Sequence, residues 1–331
     1  MLLEVSAPSS VLEAYAGRRV LLTGASSVIG RALAGLFSGS QAELWVVARS
    51  DSPAASGGAR TITADLSLPG AFTRVFGSVK PHITFHLAGS GGPSSDAPVP
   101  LAERMNHELP SEIAEVLAGK HHSRWPGMCL VRAGCAAEYG PLGGPVREDS
   151  PASPAGVFGR SMLAGTWALS RAIQSSALLS GRATTARLFS VYGPGEPPGR
   201  LLALLLEAAR TGQRLKLGRG EERHDFTYSG DVAEGLLRLG ACQIPAPPVI
   251  HLATGLLSTV REFTETAARE LGLRPGQIEY GPQANLSDDL PRGPADTSHL
   301  TRLLGWRPRT SIAEGIRETA RLAAAALRTE S

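Results

Sequence analysis

Lysine is almost missing from this chain: Lys80, Lys120 and Lys216 are the only lysines among 33 basic residues, and the rest are arginines. With the heavy use of Ala and Gly, that bias reads as a GC-rich coding origin and says nothing of mechanism. Cysteine is equally sparse. Cys129, Cys135 and Cys242 show no metal-ligand spacing, and an odd number in so long a chain fits a reducing cytoplasm. No apolar run reaches the roughly 18 residues that a membrane span needs. The N-terminus lacks a basic stretch followed by an apolar core, so no secretory signal is expected. No run of Lys or Arg stands out and the net charge is only +3, which argues against nucleic acid or an anionic membrane as partner. These absences leave a cytoplasmic protein that handles a small molecule.

What is there is ordinary globular composition: 331 residues, 42% hydrophobic and 19% charged. Chains above roughly 250 residues tend to form one large domain plus a smaller lobe. After a leader of residues 1–17, where Ser9 or Ser10 suits a helix cap, short apolar runs alternate with helical patterns. Strands are expected at 18–23, 43–47, 61–64, 82–87, 128–131 and 184–189, with helices at 28–38, 101–118 and 159–179 between them. Near-continuous apolar strands alternating with helices predict a parallel sheet covered on both faces. Past Phe189 the texture changes: Gly193-Pro194-Gly195 and Pro197-Pro198-Gly199 make a turn-rich break, and helices follow near 200–211, 231–239, 259–271 and 312–328. The expected architecture is α/β, a Rossmann-type doubly wound parallel sheet with a smaller mixed C-terminal substrate lobe. Residues 18–189 make the dinucleotide domain, 225–255 return to it, and 190–224 with 256–331 make the lobe.

The segment Thr23-Gly24-Ala25-Ser26-Ser27-Val28-Ile29-Gly30 lies between a strand and a helix, the context a dinucleotide fingerprint requires. Gly24 permits the tight turn, and Gly30 lets helix and strand pack closely. The helix N-terminus offers N–H groups and a positive dipole end to a pyrophosphate. The usual middle glycine is absent, with Ser27 or Val28 in its place. Arg49, with Ser50 beside it, lies about 19 residues past Gly30, where an acidic residue would hold a ribose 2′-hydroxyl. An arginine there suits a 2′-phosphate, hence NADP(H) rather than NAD. The alternative is a surface arginine in a turn. Asp65, after the third strand, stands where it accepts a hydrogen bond from an adenine amino group, or else caps a loop.

Taken in order, Thr23 to Gly30, Ala64-Asp65-Leu66, His86-Leu87-Ala88-Gly89, Asn106, Glu138-Tyr139-Gly140, Arg187 to Gly195, Asp225 to Val232 and Leu304-Gly305-Trp306-Arg307-Pro308 make the chain resemble the extended short-chain dehydrogenase/reductases, the NAD(P)-dependent sugar epimerase and dehydratase group. The likeness runs from about residue 18 to 325. It implies a seven-stranded parallel sheet, a lobe closing over the substrate, and a homodimer through the helices near 101–118 and 159–179. It also implies cofactor contacts by Leu66, Leu87, Ala88, Gly89 and Asn106 beside the phosphate loop.

The resemblance breaks at the chemistry. The family starts a long helix with a Tyr and a Lys four residues apart, the hydroxyl moving the substrate proton and the ammonium lowering its pKa. Here those positions read Phe158 and Met162, on one helix face and both without an ionisable group. The supporting Ser or Thr falls on Cys135, and the acidic pair of the 4,6-dehydratases on Ala136 and Ala137. Glu138 beside them reads as structural. A positioned general acid/base supplies about 10²–10⁴-fold, so ordinary alcohol–ketone hydride transfer is not expected. On the substrate side Ser190 replaces an Asn and His224, after Arg223, replaces an Arg. Arg223 and His224 either meet an acidic substrate group or belong to a solvated loop.

Substitute proton carriers are few. Cys135 ends a parallel strand and acts if its thiol pKa is lowered; otherwise it is buried filler. Tyr192 shapes the pocket or is recruited as an acid. His107 is a base near the cleft or a helix-surface residue. Ser90, Ser94 and Ser95 border the substrate without a base beside them, and His121-His122 lacks the partners of a metal site. The reading that follows is an NADP-binding tailoring enzyme of secondary metabolism that performs an elimination or other non-hydride step. A reductase or epimerase with a substitute acid, and a non-catalytic NADP-binding protein, are its alternatives.

Overall fold

The computed structural model describes residues 9–49, 58–92, 98–120, 124–282 and 292–329. Ser50, Ser94, Ser95 and the His121-His122 pair lie outside them. In chain order the elements are α1 (Ser9–Glu13), β1 (Arg19–Thr23), α2 (Val28–Leu36), β2 (Glu43–Ala48), β3 (Arg60–Thr63), α3 (Ala71–Val79) and β4 (Ile83–His86). Next come α4 (Val99–Glu103), α5 (Leu109–Lys120), β5 (Leu130–Cys135), α6 (Val157–Ser175), β6 (Ala183–Leu188), β7 (Ser190–Tyr192) and α7 (Leu201–Thr211). The remainder is β8 (Leu215–Leu217), β9 (Arg223–His224), β10 (Phe226–Tyr228), α8 (Ser229–Ala241), β11 (Val249–Leu252), β12 (Ser258–Thr259), α9 (Val260–Leu271), β13 (Ile278–Tyr280), α10 (Ser298–Leu304) and α11 (Ile312–Thr329).

Seven strands form one parallel sheet in the order β11-β6-β5-β4-β1-β2-β3. The order reverses between β1 and β4, which opens a crevice above their carboxyl ends. Two apolar layers flank the sheet. Val20, Leu22, Phe85 and Val131 pack with α2 and α8 residues such as Leu33 and Leu236. Leu21, Leu130 and Leu117 pack with Phe72 and Leu169 on the other face. Alternate strand residues thus serve opposite layers, and both faces being covered explains the near-continuous apolar runs. A third cluster, Tyr192, Leu205, Tyr228, Phe263 and Ile316, is the core of the lobe.

Three details depart from the sequence reading. The leader is partly core: Tyr15 is fully buried and its hydroxyl donates to the Leu237 carbonyl at 2.6 Å. The helix expected at 101–118 is broken by a π-turn, Arg104–Glu108, between α4 and α5. Finally Leu300, Trp306 and Leu322, assigned to the lobe, pack into the sheet's core, so the C-terminal segment ties the two parts together.

Candidate functional site

The phosphate loop is built by backbone proximity. Gly24 has φ +75°, and a Cβ there would lie 2.6 Å from the Ala88 nitrogen. A Cβ on Gly30 would come within 2.1 Å of the Gly24 carbonyl oxygen. No other residue type meets both conditions without shifting the chain. Thr23 closes the loop's base: its Oγ1 accepts from the Ala88 N–H at 3.3 Å and lies 2.8 Å from His86 Nδ1. Ser27, at the middle-glycine position, caps α2. Its hydroxyl accepts from the Gly30 N–H at 2.9 Å and donates to the Gly24 carbonyl at 2.8 Å. Ser26 and Ser27 are exposed, and the first helical turn leaves the N–H groups of Val28 and Ile29 without intrahelical acceptors. Arg31, half-buried, spans from the Ser26 carbonyl to the Gly195 carbonyl, bringing a guanidinium beside the loop. This cradle fits a dinucleotide pyrophosphate.

Leu87, Ala88 and Gly89 continue from β4 over the crevice. Exposed Arg49 follows β2, and its charge acts on Asp65, whose carboxyl is held below its ordinary value, first by the Ser67 side-chain and backbone hydrogen bonds and then by Arg49. Leu66 beside it is buried. Asn106 is 1% exposed; its Oδ1 accepts from the Ser90 N–H at 2.8 Å, and its Nδ2 donates to the Ser90 carbonyl and to Ser161 Oγ. The side chain ties the Ser90 loop to α6, with both amide hydrogens engaged.

Across the crevice, α6 begins against the short turn 136–138: a Cβ on Gly159 would lie 2.5 Å from the Ala137 carbonyl oxygen. Phe158 is half-buried and Met162 is 8% exposed, one helical turn apart. Cys135, at the end of β5, caps the turn, its Sγ accepting from the Ala137 N–H at 3.4 Å. Glu138 is wholly buried, bonded to Arg187 Nε at 2.7 Å and to the Cys135 N–H at 3.0 Å. Behind these lies a charge the apolar pattern hid: Arg132, 2% exposed, reaches toward Met162 and the π-turn.

The surroundings of two candidate proton carriers suit their structural alternatives. Tyr192 is 3% exposed in the aromatic core of the lobe, against Phe263 and Tyr228. Its hydroxyl donates to the Ser311 carbonyl, and burial pushes its pKa well up. His107 lies on the helix surface, 38% exposed and 3.3 Å from the Glu103 carboxylate. On the lobe side, Ser190 Oγ and His224 Nδ1 do meet, at 3.2 Å, while Arg223 is exposed on β9. Asp225, next after His224 in sequence, is buried and accepts from Thr227, from both Thr254 donors and from the Gly255 N–H. That knot fixes the loop geometry. Among the described residues no His, Cys, Asp or Glu group is arranged to hold a metal ion, and no helix is long and apolar enough to cross a membrane.

A parallel sheet with a glycine turn at its switch point, faced by a smaller lobe, defines a doubly wound α/β protein of the dinucleotide-dependent kind. Residues 20–248 match the model of the NAD dependent epimerase/dehydratase family, and the chain belongs to that family. It is 30% identical over 315 residues to a dTDP-6-deoxy-L-talose 4-dehydrogenase (NAD(P)(+)) of Kitasatospora kifunensis, covering 91% of this chain and 94% of the relative. Among solved structures, MoeE5 in complex with UDP-glucuronic acid and NAD superposes with a TM-score of 0.79 at 26% identity, over 93% of this chain and 99% of the other. The NAD-dependent NDP-hexosamine 5,6-dehydratase TunA, involved in tunicamycin biosynthesis, gives 0.78 at 25% identity, over 93% and 98%.

Proposed function

We propose that this protein binds NADP(H) and, as a tailoring enzyme of secondary metabolism, catalyses an elimination or another step without net hydride transfer on a small-molecule substrate. This reading rests on the start of α6, where Phe158 and Met162 stand one turn apart, at the positions that the resemblance matches to a tyrosine and a lysine. None of the tyrosines substitutes for them. Tyr15, Tyr192 and Tyr228 are core residues, the Tyr139 hydroxyl is bonded to His251 Nε2 at 2.6 Å, and Tyr280 bonds Thr264 on α9. The lysines follow α3, end α5 and sit on β8.

Gly24, Gly30, Ser27 and the N–H groups of Val28 and Ile29 would hold the pyrophosphate, Arg49 the 2′-phosphate, and Asp65 with Leu66 the adenine. When bound, the nicotinamide supplies reversible hydride chemistry. The protein's own residues leave a different task. Cys135, as a thiolate, takes a proton from a carbon made acidic by a neighbouring carbonyl. The C–H pair becomes a C=C bond, and the leaving oxygen departs with its bonding pair, so no electrons are gained or lost. The dTDP- and UDP-sugar relatives support a nucleotide-activated keto-sugar as the first substrate class to try.

The test incubates the full-length protein with such keto-sugars, with and without NADPH. Product short by the leaving group, with NADPH absorbance unchanged, is the expected result. NADPH consumed in step with product overturns it and installs the second reading, a dehydrogenase or reductase, which the 30% identity to a 4-dehydrogenase favours. Tight NADPH binding with no conversion of any substrate would mark a non-catalytic protein.

A further inference from the structure

Arg31 stands in the first turn of α2, one place past Gly30, and its guanidinium reaches a residue 164 positions away. One terminal nitrogen donates to the Ser26 carbonyl in the phosphate loop. The other donates to the Gly195 carbonyl, in the segment that leads from β7 into the lobe. The contact is close: a Cβ on Gly195, where φ is +76°, would strike Nη2 and Cζ of the guanidinium. Among the described residues no carboxylate pairs with Arg31. A guanidinium has five N–H donors, and the two carbonyls take two of them. A half-buried cation with neutral acceptors and donors to spare therefore borders a helix end that suits an anion.

The segment that Arg31 holds is pinned at other points too. At its start, a Cβ on Gly193 would strike Ser229 Oγ, at the first residue of α8, and α8 packs against α2. In its middle, Glu196 accepts from the Gly193 N–H at 3.2 Å and from the N–H groups of Leu202 and Ala203. Those two residues belong to the first turn of α7, where N–H groups lack intrahelical acceptors. Leu202 and Leu205 of α7 are part of the lobe's core, with Phe263. Pro197 and Pro198 stiffen the chain between Glu196 and the helix. A line of direct contacts thus runs from the phosphate loop through Arg31, Gly195 and Glu196 to the lobe.

We propose that Arg31 is a positioning residue that couples occupancy of the phosphate loop to the seating of the lobe. A pyrophosphate on the N-terminus of α2 would give the guanidinium a charged acceptor, and such hydrogen bonds are roughly twice as strong as those to a neutral carbonyl. An arginine anchored in that way leaves Gly195 less often. Residues 193–200 and the first turn of α7 then open less often as well. The inference rests on the reading of 23–30 as a dinucleotide cradle. It adds to that cradle a side chain outside the glycine pattern and a consequence at the lobe.

Hydrogen exchange of the full chain, read by mass spectrometry with and without NADPH, tests the coupling without turnover. In the unaltered protein, saturating NADPH should slow exchange both in 24–36 and in 193–204, the latter by about threefold or more. Arg31→Met should bind NADPH about tenfold more weakly. Once saturated, it should still slow 24–36 and no longer slow 193–204. Slowing of 24–36 alone in the unaltered protein overturns the inference and leaves the cofactor reading standing, whether or not the variant folds. Equal NADPH-dependent slowing of 193–204 in parent and variant overturns it too. So does exchange there that is faster in the variant by one factor with and without NADPH, since Arg31 is then only a structural tie. If neither NADPH nor NADH changes exchange in 24–36, the cradle reading itself fails and takes the inference with it.

Discussion

Glu138 and Arg187 meet at 2.7 Å with side-chain exposures of 0% and 4%. The arginine also lies over the Tyr139 ring, 4.3 Å from its centroid, and donates to the Glu148 carbonyl. The pair joins the turn after β5 to β6 and so holds the strand end that carries Cys135. Removing one partner leaves a buried, uncompensated charge, which typically costs about 3–5 kcal/mol. Glu138→Ala should therefore destabilise the fold by that order in urea unfolding. The double variant Glu138→Leu/Arg187→Met should lose much less. Equal losses in the two would show that the ion pair is not what the single change breaks.

If Arg49 meets the 2′-phosphate, it separates the two nicotinamide cofactors. A 2′-phosphate met by a guanidinium forms charge-assisted hydrogen bonds that a 2′-hydroxyl cannot match. Arg49→Ala should weaken NADPH binding by about tenfold or more, a change of roughly 1.4 kcal/mol, and leave NADH binding nearly unchanged. Fluorescence titration with both cofactors decides the matter, and an equal loss for both would remove Arg49 from the 2′ site.

His86 gives the fold a pH dependence of known sign. Burial holds its pKa at about 3, against an ordinary value of 6.5, and a hydrogen bond to Thr23 Oγ1 keeps the neutral ring in place. Between those values the unfolded chain binds a proton that the native ring refuses. Stability is full above about 6.5 and falls as pH drops, by about 1.4 kcal/mol per pH unit. Thermal unfolding between pH 6.5 and 4.5, above the range where carboxylates such as Asp65 and Glu112 protonate, should show that slope. His86→Asn should make it shallower, leaving the share of His251 and His82, whose pKa values burial also lowers.

Trp167 projects from α6 with 54% exposure. Beside it, between α5 and α6, runs a groove of about 300 Å³ whose lining mixes alanines such as Ala114 and Ala168 with Ser111, Glu115, Arg171 and Ser175. Val99 and Leu101, on α4, are also exposed. If these helices form a homodimer contact, Trp167→Glu should convert a sedimenting dimer to a monomer without loss of helix content. A parent protein that sediments as a monomer at micromolar concentration would rule the contact out.

Much of the fold was legible because its signals are local. Apolar runs bounded by turns marked six of the seven sheet strands, and the glycine pattern of 23–30 marked the crevice. The strand at 249–252 was visible only as a return to the domain. The π-turn at 104–108 had a local signal that the periodicity reading passed over: Pro110 has no N–H for the Asn106 carbonyl and crowds it, and that carbonyl accepts from Arg132 instead. For Tyr192 and His107 the sequence left two alternatives open, because sequence position specifies the element and not the surroundings. One sits in an aromatic core and the other on a solvated face.

By itself the sequence determined the parallel architecture, the phosphate turn and the apolar side chains at 158 and 162, because periodicity, glycine placement and residue identity are properties of the chain alone. Only the tertiary structure decided which polar groups are already spent and which remain available. Asn106, Asp225 and Glu138 are each held by partners distant in sequence. Arg132 is left buried with only neutral ones. The physical reason is desolvation. A polar group's role depends on what replaces its water, and that is settled by neighbours the chain brings together only when it folds.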